Sequence, residues 1–162
     1  MKCIKSLLVV ISLSLFPNVF SQIEGDSIFA VDQVMTIELN FSQTDYWDSL
    51  VDNYATSTYM SADMTITTID GTRSFPNIGV RFKGNSTYNH PNDKKPFKID
   101  FNRYIEDQNF DGIKKINLSN GFKDPSCMRE KLFFDFCNEA GVNAPRANFA
   151  NLYINGSLWG FY

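Results

Sequence analysis

Apolar and polar residues alternate in several short stretches of the chain, a pattern that is typical of β-strands. The first such stretch covers residues 32–41, where Met35, Ile37, Leu39 and Phe41 fall on one face. Further strands are predicted at residues 64–69, 78–83, 97–101 and 113–119. Asp70-Gly71 and Asn155-Gly156 are typical hairpin turns, and they predict two strand pairs that are close in sequence.

Two segments instead have apolar residues at helical spacing. The first begins after Ser42, its predicted N-cap, and has aromatic and aliphatic residues at Tyr46, Trp47, Leu50, Val51 and Tyr54. The second runs from Asp124, the predicted N-cap, through Pro125 at the first helical position to Gly141 at its end. The chain is therefore predicted to be α+β, with an antiparallel sheet and two main helices.

The second helix carries an apolar stripe that we expect to pack in the core. Its members are Met128, Leu132, Phe136 and Ala140, and Phe133 and Cys137 widen it. Cys127 and Cys137 would be separated by about 15 Å along this helix, too far for a disulfide. They are interpreted as buried, reduced thiols.

The first 21 residues have the pattern of a secretory signal. Lys2 and Lys5 precede an apolar run at residues 6–16 that is too short to span a bilayer, and Val19 and Ser21 suit a cleavage site. We predict a signal peptide at residues 1–21 and one domain at residues 22–162, which implies a secreted protein without stable membrane insertion. The alternative is an uncleaved N-terminal anchor.

Positive charge is concentrated in one part of an acidic chain. The 162 residues include 15 Lys+Arg and 18 Asp+Glu, for a net charge of −3. Six of the basic residues lie between Arg81 and Arg103. The acidic balance and the absence of another basic tract argue against nucleic acid as a partner. With a single histidine, His90, the chain has no Cys/His cluster for zinc.

Strand alternation predicts where these cations lie. If Val80 and Phe82 face the core, Arg81 and Lys83 share the opposite face, and Lys98 joins them from the next strand. The connecting loop contains Gly84, Asn85 and Ser86, whose polar groups and backbone N–H groups suit an anion. Two interpretations remain open, a phosphate site and a solvated sheet face with a flexible hairpin tip.

Several motifs in combination resemble the spore coat protein H (CotH) kinase family. They are "GVRFKGNS", "KKPFKIDF", "INLSN" and the segment from "DPSCMREKLFF" to the final "GSLWGFY". Together they cover residues 78–162. Residues 32–70 are similar to the strands that precede this region in secreted bacterial members.

The resemblance implies the N-lobe half of an atypical, secreted protein kinase. Such an enzyme uses ATP and a divalent metal, Mg or Mn, to phosphorylate Ser or Thr in a secreted or coat protein. The residues that the resemblance assigns to nucleotide binding are Arg81, Lys83, Gly84, Asn85, Ser86, Lys95, Lys98 and Glu130. Lys95 or Lys98 would neutralise phosphate, and Glu130 would pair with that lysine.

The family's catalytic and metal-binding aspartates are expected beyond Tyr162. Asp107, Asp111 and Asp124 lie in loop or cap contexts and are interpreted as structural. Residues 22–162 are therefore predicted to be a CotH-kinase-like N-terminal region that is inactive alone. The alternatives are a non-catalytic surface or adhesion module that docks an acidic partner, and a structural protein of the spore-coat kind. Neither the protein substrate nor the oligomeric state follows from the sequence.

Overall fold

The computed structural model describes residues 24–29 and 33–162, which form three helices and seven strands. The helices are α1 (Asp26–Phe29), α2 (Tyr46–Asp52) and α3 (Arg129–Glu139). The strands are β1 (Val34–Asn40), β2 (Met60–Thr68), β3 (Gly71–Phe82), β4 (Phe97–Asp100), β5 (Lys115–Leu118), β6 (Phe149–Ile154) and β7 (Ser157–Phe161). No helix among these is long and apolar enough to cross a membrane. The predicted signal peptide at residues 1–21 lies outside the described residues.

The strands form one sheet in the order β5-β4-β3-β2-β1-β6-β7. The prediction of an α+β fold with two main helices is confirmed, but the sheet is mixed. Strand β6 lies parallel to β1, with Ile37 opposite Leu152, whereas the other neighbouring pairs are antiparallel. The reason is the long connection through α3, which returns the chain beside β1 in the same direction, as parallel pairing requires.

The sheet buries one face, and this face contains the alternating apolar residues that the sequence singled out. Val80 lies opposite Ile99, and Phe82 lies opposite Phe97; all four side chains are fully buried. Helix α2 closes part of this core, because Leu50 is buried and Trp47 contacts the Phe82 ring edge-on at 5.0 Å. The opposite face is polar, with Thr65 and Thr67 beside Ser74 and Thr72. Burial of one face therefore favours the observed register of the strands that carry these apolar residues.

The β2–β3 hairpin is longer than predicted. The two-residue turn is Ile69–Asp70, and Gly71 with a φ of 121° begins β3. Pro76 does not end the strand, because a bulge interrupts the β2–β3 pairing there and β4 pairs with β3 only from Gly79 onward. In the bulge, the Asn77 N–H donates to Asp63 Oδ1 at 2.9 Å.

Helix α2 begins later than predicted, because Ser42 is not its cap. The residue before the helix is Asp45, and the helix starts at Tyr46. The Tyr46 ring stacks on Phe41 at 4.8 Å, so contact with the end of β1 fixes where the helix begins.

Helix α3 differs most from the prediction. It starts at Arg129, not at Pro125, and residues 125–127 form a turn before it. Asp124 still accepts hydrogen bonds, from the Arg129 N–H at 2.8 Å and the Ser126 hydroxyl at 2.5 Å. Gly141 ends the helix as predicted: its N–H donates to Asn138 O, and the Val142 N–H donates to Cys137 O, which is a Schellman motif.

The predicted packing of the α3 stripe is wrong. Leu132, Phe133 and Phe136 are 57%, 62% and 68% exposed, and no residue of the helix is buried. In the part of the chain that the structure describes, no other element covers this stripe. Cys127 and Cys137 are free, as predicted, but they are only partly buried, and Cys127 lies in the turn before the helix with a φ of 57°.

Candidate anion-binding site

Arg81, Lys83 and Lys98 line one cavity of about 570 Å³ on the polar side of the sheet. We call this space the basic cavity. Gly84 from the β3–β4 loop also lines it, as do Tyr54, Ala55, Ser57 and Asn117. Arg81 and Lys98 lie directly opposite each other on β3 and β4, as the alternation of the strands predicted. The volume is within the range that small ligands occupy in proteins.

The Arg81 guanidinium is fixed from several sides. One terminal nitrogen donates to the Phe82 carbonyl at 2.9 Å and to the Ser57 hydroxyl at 3.5 Å. The guanidinium also lies over the Tyr59 ring, 5.3 Å from its centroid. Its Nε atom is buried and has no hydrogen-bond partner among the described residues. A buried donor without a partner costs free energy, so the position of this guanidinium is maintained by its other contacts and not by its Nε atom.

Several features of its surroundings affect the pKa of Lys83. Burial lowers its pKa below the ordinary value, Glu130 opposes this change, and the neighbouring charges of Lys98 and Arg81 reinforce it. A bound anion would favour the charged form of this ammonium group. Lys83 also lines a second, larger space of about 850 Å³ between the sheet and α3, which we call the α3 groove.

Gly84 lines the basic cavity, and its backbone conformation also shapes the loop. Its φ is 83°, and a Cβ at this position would collide with the Thr87 hydroxyl oxygen. Gly84 therefore permits a tight turn and the packing of Thr87. Asn85 and Ser86 are exposed at the tip of the loop, and the Asn85 side chain accepts a hydrogen bond from Asn89 at 3.2 Å.

The structure does not bring Lys95 or Glu130 into the basic cavity. Lys95 Nζ donates to the Tyr88 and His90 carbonyls, both at 2.8 Å, so it holds the loop together. Glu130 lies in the α3 groove and accepts from the Ser119 hydroxyl at 3.2 Å. It is in no ion pair within the described part of the chain. Glu130 raises the pKa of Lys83, against the larger lowering that burial causes.

Four residues that line the cavity were not among the predicted site residues: Tyr54, Ala55, Ser57 and Asn117. Asn117 lies opposite Lys98 on β5, so pairing of the two predicted strands would have placed it on the same face. Tyr54 and Ser57 come from the turns after α2. No local pattern marks them, because their position depends on how α2 packs against the sheet.

Two other carboxylates of the described residues, Asp111 and Asp100, form ion pairs. Asp111 accepts from Arg73 at 2.5 Å and from Ser27 at 3.0 Å, and the Arg73 hydrogen bond is the largest cause of its lowered pKa. Asp100 is buried on the polar side and pairs with Lys115 at 3.2 Å. Within residues 24–29 and 33–162, no group of three or more His, Cys, Asp or Glu is arranged to hold a metal ion.

The fold and the cavity define an α+β protein with a mixed sheet that presents clustered cations on its polar side. The comparison with known families is specific: the family described as CotH kinase protein matches residues 80–162. This is half of the chain and includes all three cavity cations. The chain belongs to the CotH kinase protein family.

Comparison with a single named protein agrees with this family match. The chain is 41% identical over 69 residues to inner spore coat protein H of Bacillus subtilis (strain 168). The match covers 43% of this chain and 18% of that protein. The chain thus matches less than a fifth of the length of this relative.

Proposed function

We propose that this chain is the phosphate-binding portion of an extracytoplasmic CotH-type protein kinase, and that the basic cavity holds the phosphates of ATP. The observation that carries the proposal is the convergence of Arg81, Lys83 and Lys98 on one cavity. Three cations in a chain of net charge −3 are suited to the multiple negative charges of a triphosphate.

In this proposal each cation has a distinct role. Arg81 presents a guanidinium that is already oriented, which favours directional hydrogen bonds to phosphate oxygens. Lys98, opposite it, adds a second positive charge. Lys83 lies where the basic cavity and the α3 groove meet, and would contact the phosphate nearest Glu130.

Transfer of the phosphoryl group to a Ser or Thr hydroxyl also requires a divalent metal and a carboxylate that orients the acceptor. The described residues hold no cluster of metal ligands, so we assign this chain the holding of phosphates and no step of the transfer. The family relation to a spore coat protein supports a coat or surface protein as the acceptor, and a location outside the cytoplasm.

Calorimetric titration of the chain with ATP, AMP and inorganic tripolyphosphate tests this proposal. We expect ATP and tripolyphosphate to bind and AMP to bind much more weakly, because the cations recognise the phosphate chain. Affinity should fall between about 0.05 M and 0.2 M salt, since exposed charges are screened. Arg81→Ala should weaken binding, whereas Lys114→Ala, on an exposed residue away from the cavity, should not.

The competing function is docking of an acidic partner by the same cations. A titration with poly-glutamate separates the two. Binding of poly-glutamate, with no preference for ATP over AMP, would replace the kinase proposal with a docking module.

A further inference from the structure

The two ends of the loop that joins β3 to β4, residues 83–96, have different contacts with the rest of the fold. From Thr87 onward the loop is tied to the rest of the fold by side chains: Asn120 Nδ2 donates to the Thr87 and Lys94 carbonyls at 3.0 and 2.9 Å. The Tyr162 hydroxyl donates to the Lys95 carbonyl at 2.9 Å. Residues 87–96 are therefore held by side chains that come shortly after β5 and β7.

Residues 83–86, at the start of the loop, receive one side-chain hydrogen bond from elsewhere in the described part of the chain. The Tyr54 hydroxyl donates to the Gly84 carbonyl at 2.6 Å, across 30 positions of sequence. The Tyr54 ring stacks on Tyr88, with centroids 3.5 Å apart and planes 15° from parallel. Tyr54 thus touches the loop at two points, and it also lines the basic cavity.

Tyr54 is itself held by a rigid element. Its N–H donates to the Val51 carbonyl of α2 at 3.1 Å, and α2 is anchored by the buried side chain of Leu50. The position of the Tyr54 hydroxyl is therefore set by the core and not by the loop that it contacts.

The bond to Gly84 fixes the direction of a backbone donor. In a trans peptide the carbonyl oxygen and the following N–H point in opposite directions. Holding the Gly84 carbonyl on Tyr54 therefore also fixes the Asn85 N–H, which donates no hydrogen bond within the described part of the chain. A fixed, unpartnered N–H at the end of a cationic strand is suited to a phosphate oxygen.

We infer that Tyr54 is a positioning residue for the proposed phosphate site, and that it acts by orienting the Gly84–Asn85 peptide so that the Asn85 N–H donates to the ligand. This inference rests on the proposed function. It adds a backbone donor to the three cations, and it couples the ligand to helix α2.

The variant Tyr54→Phe tests the inference, because it removes the hydroxyl and keeps the stacking ring. Tyr46→Phe is the matched control: it removes a hydroxyl from the same helical segment that has no hydrogen-bond partner among the described residues. Each protein is titrated with tripolyphosphate and ATP by calorimetry, and the backbone amide of Asn85 is followed by NMR. Thermal unfolding of both variants shows whether the fold is unchanged.

We expect Tyr54→Phe to bind tripolyphosphate about 3- to 10-fold more weakly, the range expected for the loss of one hydrogen bond. Its unfolding temperature should be unchanged, and the Asn85 amide should lose most of its response to the ligand. Tyr46→Phe should behave as wild type. If Tyr54→Phe binds as wild type while Arg81→Ala binds weakly, the inference is wrong and the phosphate site stands. If wild type binds neither ligand, the proposed function is overturned, and the inference with it.

Discussion

Arg81 and Lys98 lie directly opposite each other in the antiparallel pair β3–β4, so two cations share one position across the polar side of the sheet. Like charges at opposed positions of a sheet destabilise the fold. The neighbouring Lys83 adds a third positive charge, and among the described residues Glu130 of α3 is the acidic group that raises its pKa. Repulsion among these cations therefore lowers the stability of the free protein, and it favours binding of an anion in the basic cavity.

The first prediction follows from this opposed pair. Lys98→Ala should raise the free energy of unfolding of the free protein by up to about 1 kcal/mol, because it removes the repulsion of Arg81. The same change should weaken ATP binding by about tenfold or more, since it removes a charged contact to phosphate. Denaturant unfolding and calorimetry on the same samples measure both effects. Lys114→Ala should change neither quantity. If it also weakened ATP binding, the effect of Lys98→Ala would be due to the net charge of the protein.

The second prediction concerns the lowered pKa of Lys83. Its half-buried ammonium group costs stability while it is charged, and this cost disappears as pH rises through the lowered pKa toward the ordinary lysine value of about 10.4. Lys83→Met should therefore be more stable than wild type at pH 7, and the difference should shrink at alkaline pH. Unfolding curves from pH 7 to the ordinary lysine pKa test this.

The partner of Lys83 gives the matching control. Glu130→Gln removes the negative charge that opposes the lowering of the Lys83 pKa. It should therefore reduce the free energy of unfolding at pH 7 in wild type, and it should have less effect in Lys83→Met. Equal effects of Glu130→Gln in both backgrounds would show that the two residues are not coupled.

The third prediction compares two leucines, Leu132 of α3 and Leu50 of α2. Leu132 is 57% exposed, so Leu132→Ala should change the free energy of unfolding by no more than about 0.5 kcal/mol. Leu50 is buried, so Leu50→Ala should cost about 2–5 kcal/mol. Denaturant unfolding of the two variants gives the comparison directly. A cost of several kcal/mol for Leu132→Ala would place α3 against the core, contrary to the structure.

The fourth prediction uses the carboxylate before α3. The pKa of Asp124 is lowered chiefly by the Ser126 hydroxyl, and further by the backbone N–H groups of Arg129 and Ser126. A carboxylate with a lowered pKa contributes its full stability at pH values above the ordinary Asp pKa of about 3.9. This contribution is lost as pH falls through the lowered pKa. Wild type should exceed Asp124→Ala in stability at neutral pH, and the difference should vanish in acid. A difference that is independent of pH would show that the charge of Asp124 has no part in it.

Much of the strand structure followed from the sequence, because alternation is a local property. Val80 and Phe82, then Phe97 and Ile99, are apolar at every second position, and burial of that face put Arg81 and Lys98 on the other. The Asn155-Gly156 turn was also local, since both residues adopt positive φ there. The family was recognisable for a similar reason: its motifs are short stretches of the chain.

Tertiary structure decided the rest. The sequence could not show that β6 runs parallel to β1, because that pairing joins residues more than a hundred positions apart. The apolar spacing of α3 predicted a helix but not what covers it, and Leu132 and Phe136 remain exposed. The roles of the lysines were likewise decided by packing: Lys95 binds loop carbonyls, Lys83 lies near Glu130, and Tyr54 reaches Gly84 only because α2 is anchored on the core. Local patterns determine which face a side chain takes, whereas its neighbours depend on distant segments that meet when the chain folds.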